Sequence, residues 1–245
     1  MSLLTIYDEI IPSARRILSI NGHKLGYVVE SGGGPPAILT DGNTKGWYDY
    51  SDLTTLTLRG SYVSAWGDKL LGANTLLQAT EDKQPLLTST GILFDAIDDW
   101  IRMNDFTSVQ PEYLYLVIRN VTHINNKYML DGNNINRMSL YTTTTSGMIQ
   151  GYVGGYTGAV SLTVGNFGIV RYFINTTSSK LQVNEDTPWE GTLTTQNGFG
   201  LILGASGGYS SHSNIEVKEV ILRNIVDTPT NEAAIYNYLK IKYAL

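Results

Sequence analysis

IEVKEVILRN (residues 215–224) followed by TPTNEAAIYNYLKIKYAL (228–245) decides how the rest of the chain is read. The first piece reads as a closing strand and the second as one short terminal helix. Thr228 suits the N-cap, Pro229 has the fixed φ that a first helical turn accepts, and Glu232 sits near the positive end of the helix dipole. Ile235, Tyr238, Leu239 and Lys242 follow the i, i+3, i+4, i+7 spacing, so they share one face on which the lysine stem can lie. Such a helix is expected to pack on a sheet.

Upstream, the pattern is one of short strands. YLYLVIRN (113–120) is apolar on both faces, which predicts a strand in the middle of a sheet covered on both sides. MIQGYVGGY, VSLTVG, GIVRYFIN, KLQVNE and FGLILG follow at intervals of about ten residues. Asp131-Gly132, Gly154-Gly155, Ser178-Ser179 and Asn197-Gly198 supply turn residues between them. The reading is an all-β, two-sheet antiparallel jelly-roll sandwich with one C-terminal helix. Residues 38–245 are assigned to it. Residues 1–37 are read as an N-terminal attachment arm and linker, broken off by SGGGPP at 31–36, with a first strand of the sandwich as the equal alternative.

Composition narrows the function. The 245 residues contain no cysteine, which excludes disulfides and thiolate metal sites. With 17 basic against 22 acidic residues, the net charge of -5 argues against nucleic acid or anionic membrane as the main partner. Only 16 % of residues are charged, so the polar surface is built from Thr, Ser, Asn, Gly and Tyr, as in β proteins that work outside cells. The acidic start MSLLTIYDEI lacks the basic region of a secretory signal, and no apolar run is long enough to span a membrane. A virion or extracellular surface location is the expectation.

Several motifs now stand together: GWYDYSDL and SAWGDKLLGANTLLQATEDKQPLL between residues 46 and 87, GILFDAIDDWI (91–101), and the closing strand and helix. Together they resemble the concanavalin A-like lectin/glucanase superfamily, in the laminin-G-like form found in bacterial and phage surface proteins. KLQVNE (180–185) is similar to that family's "x-L-x-V-N-G" strand. Ala96 and Ala244 stand where the pattern carries glycine, which puts local turn geometry in question. Trp47, Trp66 and Phe94 are read as core, and Asp68 and Asp95 as turn-tying carboxylates. The resemblance implies a non-catalytic virion or surface appendage, a phage tail or head component, that recognises glycan or another surface ligand. Other assembly proteins would dock through residues 1–37, and a homo-oligomer is compatible with this. Purely structural decoration and, third, a glycoside hydrolase are the alternatives.

Chemistry is weakly signposted. Catalytic members of the superfamily carry E-x-D-x-x-E, which is absent; Glu216 and Glu219, three apart, are expected on opposite faces of their strand. Asp95, Asp98 and Asp99 form the other tight acidic group. Gly204-Ala205-Ser206-Gly207-Gly208 matches G-x-S-x-G, but a strand rather than a helix follows it, so no nucleophile elbow is expected. His23, His123 and His212 are too scattered for zinc. No cofactor is expected beyond possible Ca2+, for which DGNNIN (131–136) offers oxygens, although a hairpin turn explains that run equally well. The candidate ligand-binding residues are Tyr156, Trp189, Tyr209 and His212, aromatic side chains in Gly/Ser-rich loops where a sugar ring can be stacked and hydrogen-bonded.

Overall fold

The computed structural model describes residues 15–20, 23–29, 34–70, 74–133 and 135–245. Apart from short 3-10 turns its regular structure is antiparallel β, with one α-helix at Pro229–Tyr243. The strand Glu112–Thr122 is central, as its doubly apolar sequence requires. It pairs with Phe167–Ile174 on one side and with Asn214–Arg223 on the other. Ser179–Val183 and then Trp189–Gly191 extend the first side. On the second side Asn214–Arg223 carries two partners end to end, Ile92–Asp95 and Thr44–Asp49.

The other face is a second antiparallel run. From Val160–Ser161 it proceeds through Met148–Tyr152, Ser139–Thr142, Tyr128–Asp131 and Gly198–Leu203 to Ile101–Ser108. Leu76–Leu77 links Ile101–Ser108 to Tyr62–Trp66, and Leu86–Leu87 links Tyr62–Trp66 to Ile92–Asp95. All these strands therefore belong to one continuous sheet of seventeen, nearly closed on itself like a barrel. The all-β expectation holds. The short linking strands carry the hydrogen bonding around the edges of the two long runs, so the ladder alone does not divide them into two separate sheets.

Alternation along the central strand sorts the core. Leu114, Leu116 and Ile118 point into the larger apolar cluster with Trp66, Phe94 and Val220. Tyr113, Tyr115 and Val117 point the other way, into a cluster with Trp47 and the helical residues Ile235, Tyr236, Tyr238 and Leu239. Each fully buried side chain of this kind is worth about 1.5–3 kcal/mol, so the helix is held chiefly by its apolar face. Its ends follow the sequence: Thr228 Oγ1 accepts from Asn231 N at 3.2 Å, and Ala244 closes the last turn in the left-handed region at φ 53°. No described helix is long and apolar enough to cross a membrane.

Two expectations change here. Glu216 and Glu219 lie on the same face, because the register between Asn214–Arg223 and the central strand skips Lys218: Val117 opposes Glu219 while Ile118 opposes Val217. A β-bulge of one extra residue reverses the alternation downstream of it. At the N-terminus, Arg15–Ile20 and His23–Val29 pair with each other as a two-stranded sheet of their own. The rest of the expected arm up to residue 33 lies outside the described residues.

Candidate active site

Asp95, Asp98 and Asp99 follow the strand Ile92–Asp95 in a tight loop, and the chain there is forced into place from several sides. Phe94 is buried, and the carboxylate of Asp95 accepts the backbone N–H groups of Ile97 (2.7 Å) and Asp98 (3.4 Å) as an Asx turn. Ala96 between them has φ 70°. Asp99 folds back so that its Oδ2 accepts from Asp95 N at 3.1 Å, and its side chain is only 7 % exposed. Gly204 lies against this loop, where a Cβ would come within 2.3 Å of the Phe94 ring and 2.9 Å of Asp99 O. Here the G-x-S-x-G run serves packing: Ser206 Oγ meets Ser210 Oγ at 3.1 Å, and no helix follows.

The carboxyl of Asp99 is pushed up to about 7, first by burial and then by the charges of Asp95 and Asp98. Oxygens of all three acids lie within 4.8 Å of one another. Such a group relieves its repulsion by holding a proton, as Asp99 does near neutrality, or by closing on a cation. Asp95 and Asp99 open onto a cleft of ≈ 440 Å³ that is also lined by Tyr62, Glu81, Asp82 and Gln84. A neutral carboxylic acid beside a solvent-facing carboxylate in a cleft is an acid–base pair in form. In a second cleft, of ≈ 420 Å³, Glu232 is tied up with Arg171 and Lys180 and Asp227 with Arg223, which leaves Glu190 as a single acid there.

The four sequence candidates separate. Tyr209 is 39 % exposed and stacks on Trp100, the residue after Asp99, with ring centroids 4.5 Å apart; the Arg102 guanidinium lies 4.9 Å over the Tyr209 ring. His212, three residues after Tyr209, is half-buried, and burial lowers its pKa despite the opposing charges of Asp98 and Asp95. These two therefore belong to the neighbourhood of the acidic loop. Trp189 is half-buried against the core between Gly158 and Gly191. Tyr156 stands apart, 65 % exposed, in a cleft with Tyr128, Arg137, Ser139, Tyr141 and Tyr152.

Glu216, Glu219 and Asp131 are held in structural roles. Glu216 Oε1 accepts from Thr88 and Thr90 Oγ1, both at 2.6 Å, and the carboxylate also pairs with Arg119. Glu219 accepts from Trp47 Nε1 (2.6 Å), Tyr238 Oη (3.0 Å), Lys242 Nζ (2.7 Å) and Tyr243 Oη (2.6 Å). Asp131, the first oxygen donor of the run considered for calcium, is instead engaged by Arg137 Nη2 (2.6 Å), Ser139 Oγ (2.5 Å) and Gly207 N (2.8 Å). Asn133 Oδ1 in turn accepts from Ile135 and Asn136 N, both at 3.0 Å, which makes the run a turn.

No family model and no curated protein matches the chain. Solved structures do match. Trypanosoma rangeli sialidase in complex with sialic acid superposes with a TM-score of 0.57 and 11 % identity, over 81 % of this chain and 33 % of the sialidase. An arabinofuranosidase complexed with arabinofuranosyl-α-1,2-xylobiose gives 0.58 and 14 %, over 75 % of this chain and 51 % of that one. The chain thus spans a third to a half of these neighbours, and at such identity the likeness is one of fold. The expectation of a phage or virion appendage is corrected by it: the structures this fold resembles are glycosidases. A surface composition rich in Thr, Ser and Tyr suits any extracellular-type β domain, so it had no power to select a virion.

Proposed function

We propose that this chain is a carbohydrate-active domain of the glycoside-hydrolase kind, in which glycan lies in the cleft at Asp95 and Asp99. The observation that carries the reading is the Asp99 carboxyl, raised to about 7 beside Asp95 at an open cleft. Asp99 donates its proton to the glycosidic oxygen as the leaving group departs, and Asp95 attacks the anomeric carbon or stabilises the charge that develops there. Separations within 4.8 Å suit the roughly 5–5.5 Å of retaining pairs better than the roughly 6.5–9.5 Å of inverting ones, which must admit a water.

The finer architecture belongs to the same reading. A jelly roll of the concanavalin A-like type is supported by the larger core cluster, which fills the space between the two long antiparallel runs, and by the helix backing one of them. The test is hydrolysis of a panel of 4-nitrophenyl glycosides, α-L-arabinofuranoside included, together with a sialoside. Turnover of at least one substrate, reduced at least ~100-fold in Asp99→Asn while the fold persists, is the expected result. Turnover that survives Asp99→Asn, or none across the panel, rejects the assignment.

A further inference from the structure

A third cleft, on the strands Tyr128–Asp131, Ser139–Thr142 and Met148–Tyr152, shares no lining residue with the acidic one. Its walls are Tyr128, Tyr141, Tyr152 and Tyr156, with Arg137 and Ser139. The strand register brings them together: Tyr128 opposes Tyr141, and Ser139 opposes Tyr152. Tyr156 then bridges back to Tyr152, with ring centroids 4.9 Å apart.

The walls are fixed from behind. Arg137 lies 4.6 Å over the Tyr128 ring and is gripped by Asp131, which accepts from its Nε (3.0 Å) and Nη2 (2.6 Å) and is itself completely buried. Tyr141 Oη donates to Gln150 Oε1 at 2.8 Å, and Gln150 Nε2 donates to Thr157 O. Val153 N donates to Gly155 O at 2.9 Å, which holds the turn that presents Tyr156. A large aromatic that is 65 % exposed on a loop so anchored contributes nothing to the core.

We infer that this tyrosine-lined cleft is a binding site for a neutral sugar ring, separate from the acidic cleft. Three observations select that ligand. Aromatic faces alternating with phenol hydroxyls, the Ser139 hydroxyl and a guanidinium edge match a pyranose, which offers an apolar C–H face and a rim of hydroxyls. The volume of ≈ 150 Å³ falls below the roughly 300–1,000 Å³ of pockets for drug-sized ligands, so it takes one ring of a longer glycan. The charge of Arg137 is cancelled by Asp131, so an acidic sugar or a nucleotide phosphate meets no uncompensated cation among the lining residues.

The inference does not depend on hydrolysis, and its test is set up to keep the two apart. Full-length Asp99→Asn protein is titrated by calorimetry and saturation-transfer NMR with xylotriose, cellotriose and lactose as neutral probes. Galacturonic acid trimer and AMP serve as anionic ones. At least one neutral probe is expected to bind, with saturation transfer from tyrosine rings. Tyr156→Ala is expected to weaken that binding at least tenfold and Tyr156→Phe to retain it. Because Tyr156 is exposed, neither change is expected to alter the unfolding transition, which circular dichroism monitors. No binding by any neutral probe, binding indifferent to Tyr156→Ala, or tighter binding of the anionic probes overturns the site.

Discussion

Ala96 and Ala244 adopt φ of 70° and 53°, in the left-handed region where a β-carbon crowds the following carbonyl. These are the two positions at which the resembled family pattern carries glycine, and the structure keeps the glycine backbone with an alanine in it. The left-handed conformation costs a non-glycine residue roughly 1–2 kcal/mol, while glycine loses about 0.5–1 kcal/mol more backbone freedom on folding. Ala96→Gly and Ala244→Gly should therefore each stabilise the protein by about 0.5–1 kcal/mol, read as a shifted urea midpoint. Asp99 acts in the opposite sense. Its folded pKa of about 7 lies above the ordinary aspartate value of 3.8, so between these values the native state holds more protons than the unfolded one. Stability contributed by the protonated acid is present below about pH 4 and is lost as pH rises towards 7, by up to ~1.4 kcal/mol per unit. Asp99→Asn should remove that slope. Urea titrations of wild type and variant at pH 5 and pH 8 check it: the variant should gain on the wild type at the higher pH.

At the scale of elements, the terminal helix shows what a sequence pattern conveys and what it omits. Its cap, its limits and its buried stripe of Ile235, Tyr238 and Leu239 follow from spacing alone, because 3.6-residue periodicity is a local property. The polar anchor beneath it does not. Lys242 Nζ reaches Asp49 Oδ2 at 2.6 Å and Glu219 Oε2 at 2.7 Å, joining three segments far apart in sequence. Glu219 faces the helix only because the bulge at Lys218 turns it there, and register is set by pairing rather than by composition. Burial alone would raise the pKa of Asp49, but Lys242, Lys69 and Ser51 outweigh it and bring it down to about 2. Lys242→Met should therefore leave the buried Glu219 without a cation and Asp49 with Lys69 alone, and cost about 3–5 kcal/mol. Lys240, whose pair with Glu185 is exposed and screened by solvent, should leave the unfolding transition nearly unmoved when changed to Ala. Thermal denaturation of the two variants makes the comparison.

For the whole molecule, the central strand and the general all-β architecture are legible because doubly apolar and alternating runs report burial directly. The closure of the ladder is not, since Leu76–Leu77 and Leu86–Leu87 are two-residue strands with no periodicity to detect. The sites divide in the same way. Tyr156 and the acidic trio are visible one residue at a time, whereas the gathering of Tyr128, Tyr141 and Tyr152 around Tyr156 needs the cross-strand register. Register also frames the N-terminal question. The ladder bonds of Arg15–Ile20 are made to His23–Val29, so none of the described residues before Gly34 supplies a rung to the seventeen-stranded sheet. A chain starting at Gly34 should then unfold within about 3 °C of the full-length protein, the shift that ~1 kcal/mol produces in a domain of this size. Had the segment been a core strand, even two buried aliphatics at about 1.5–3 kcal/mol each would lower the midpoint by at least ~6 °C. Differential scanning calorimetry of the two chains separates these outcomes, and a truncated chain that is insoluble or melts far lower returns the segment to the core.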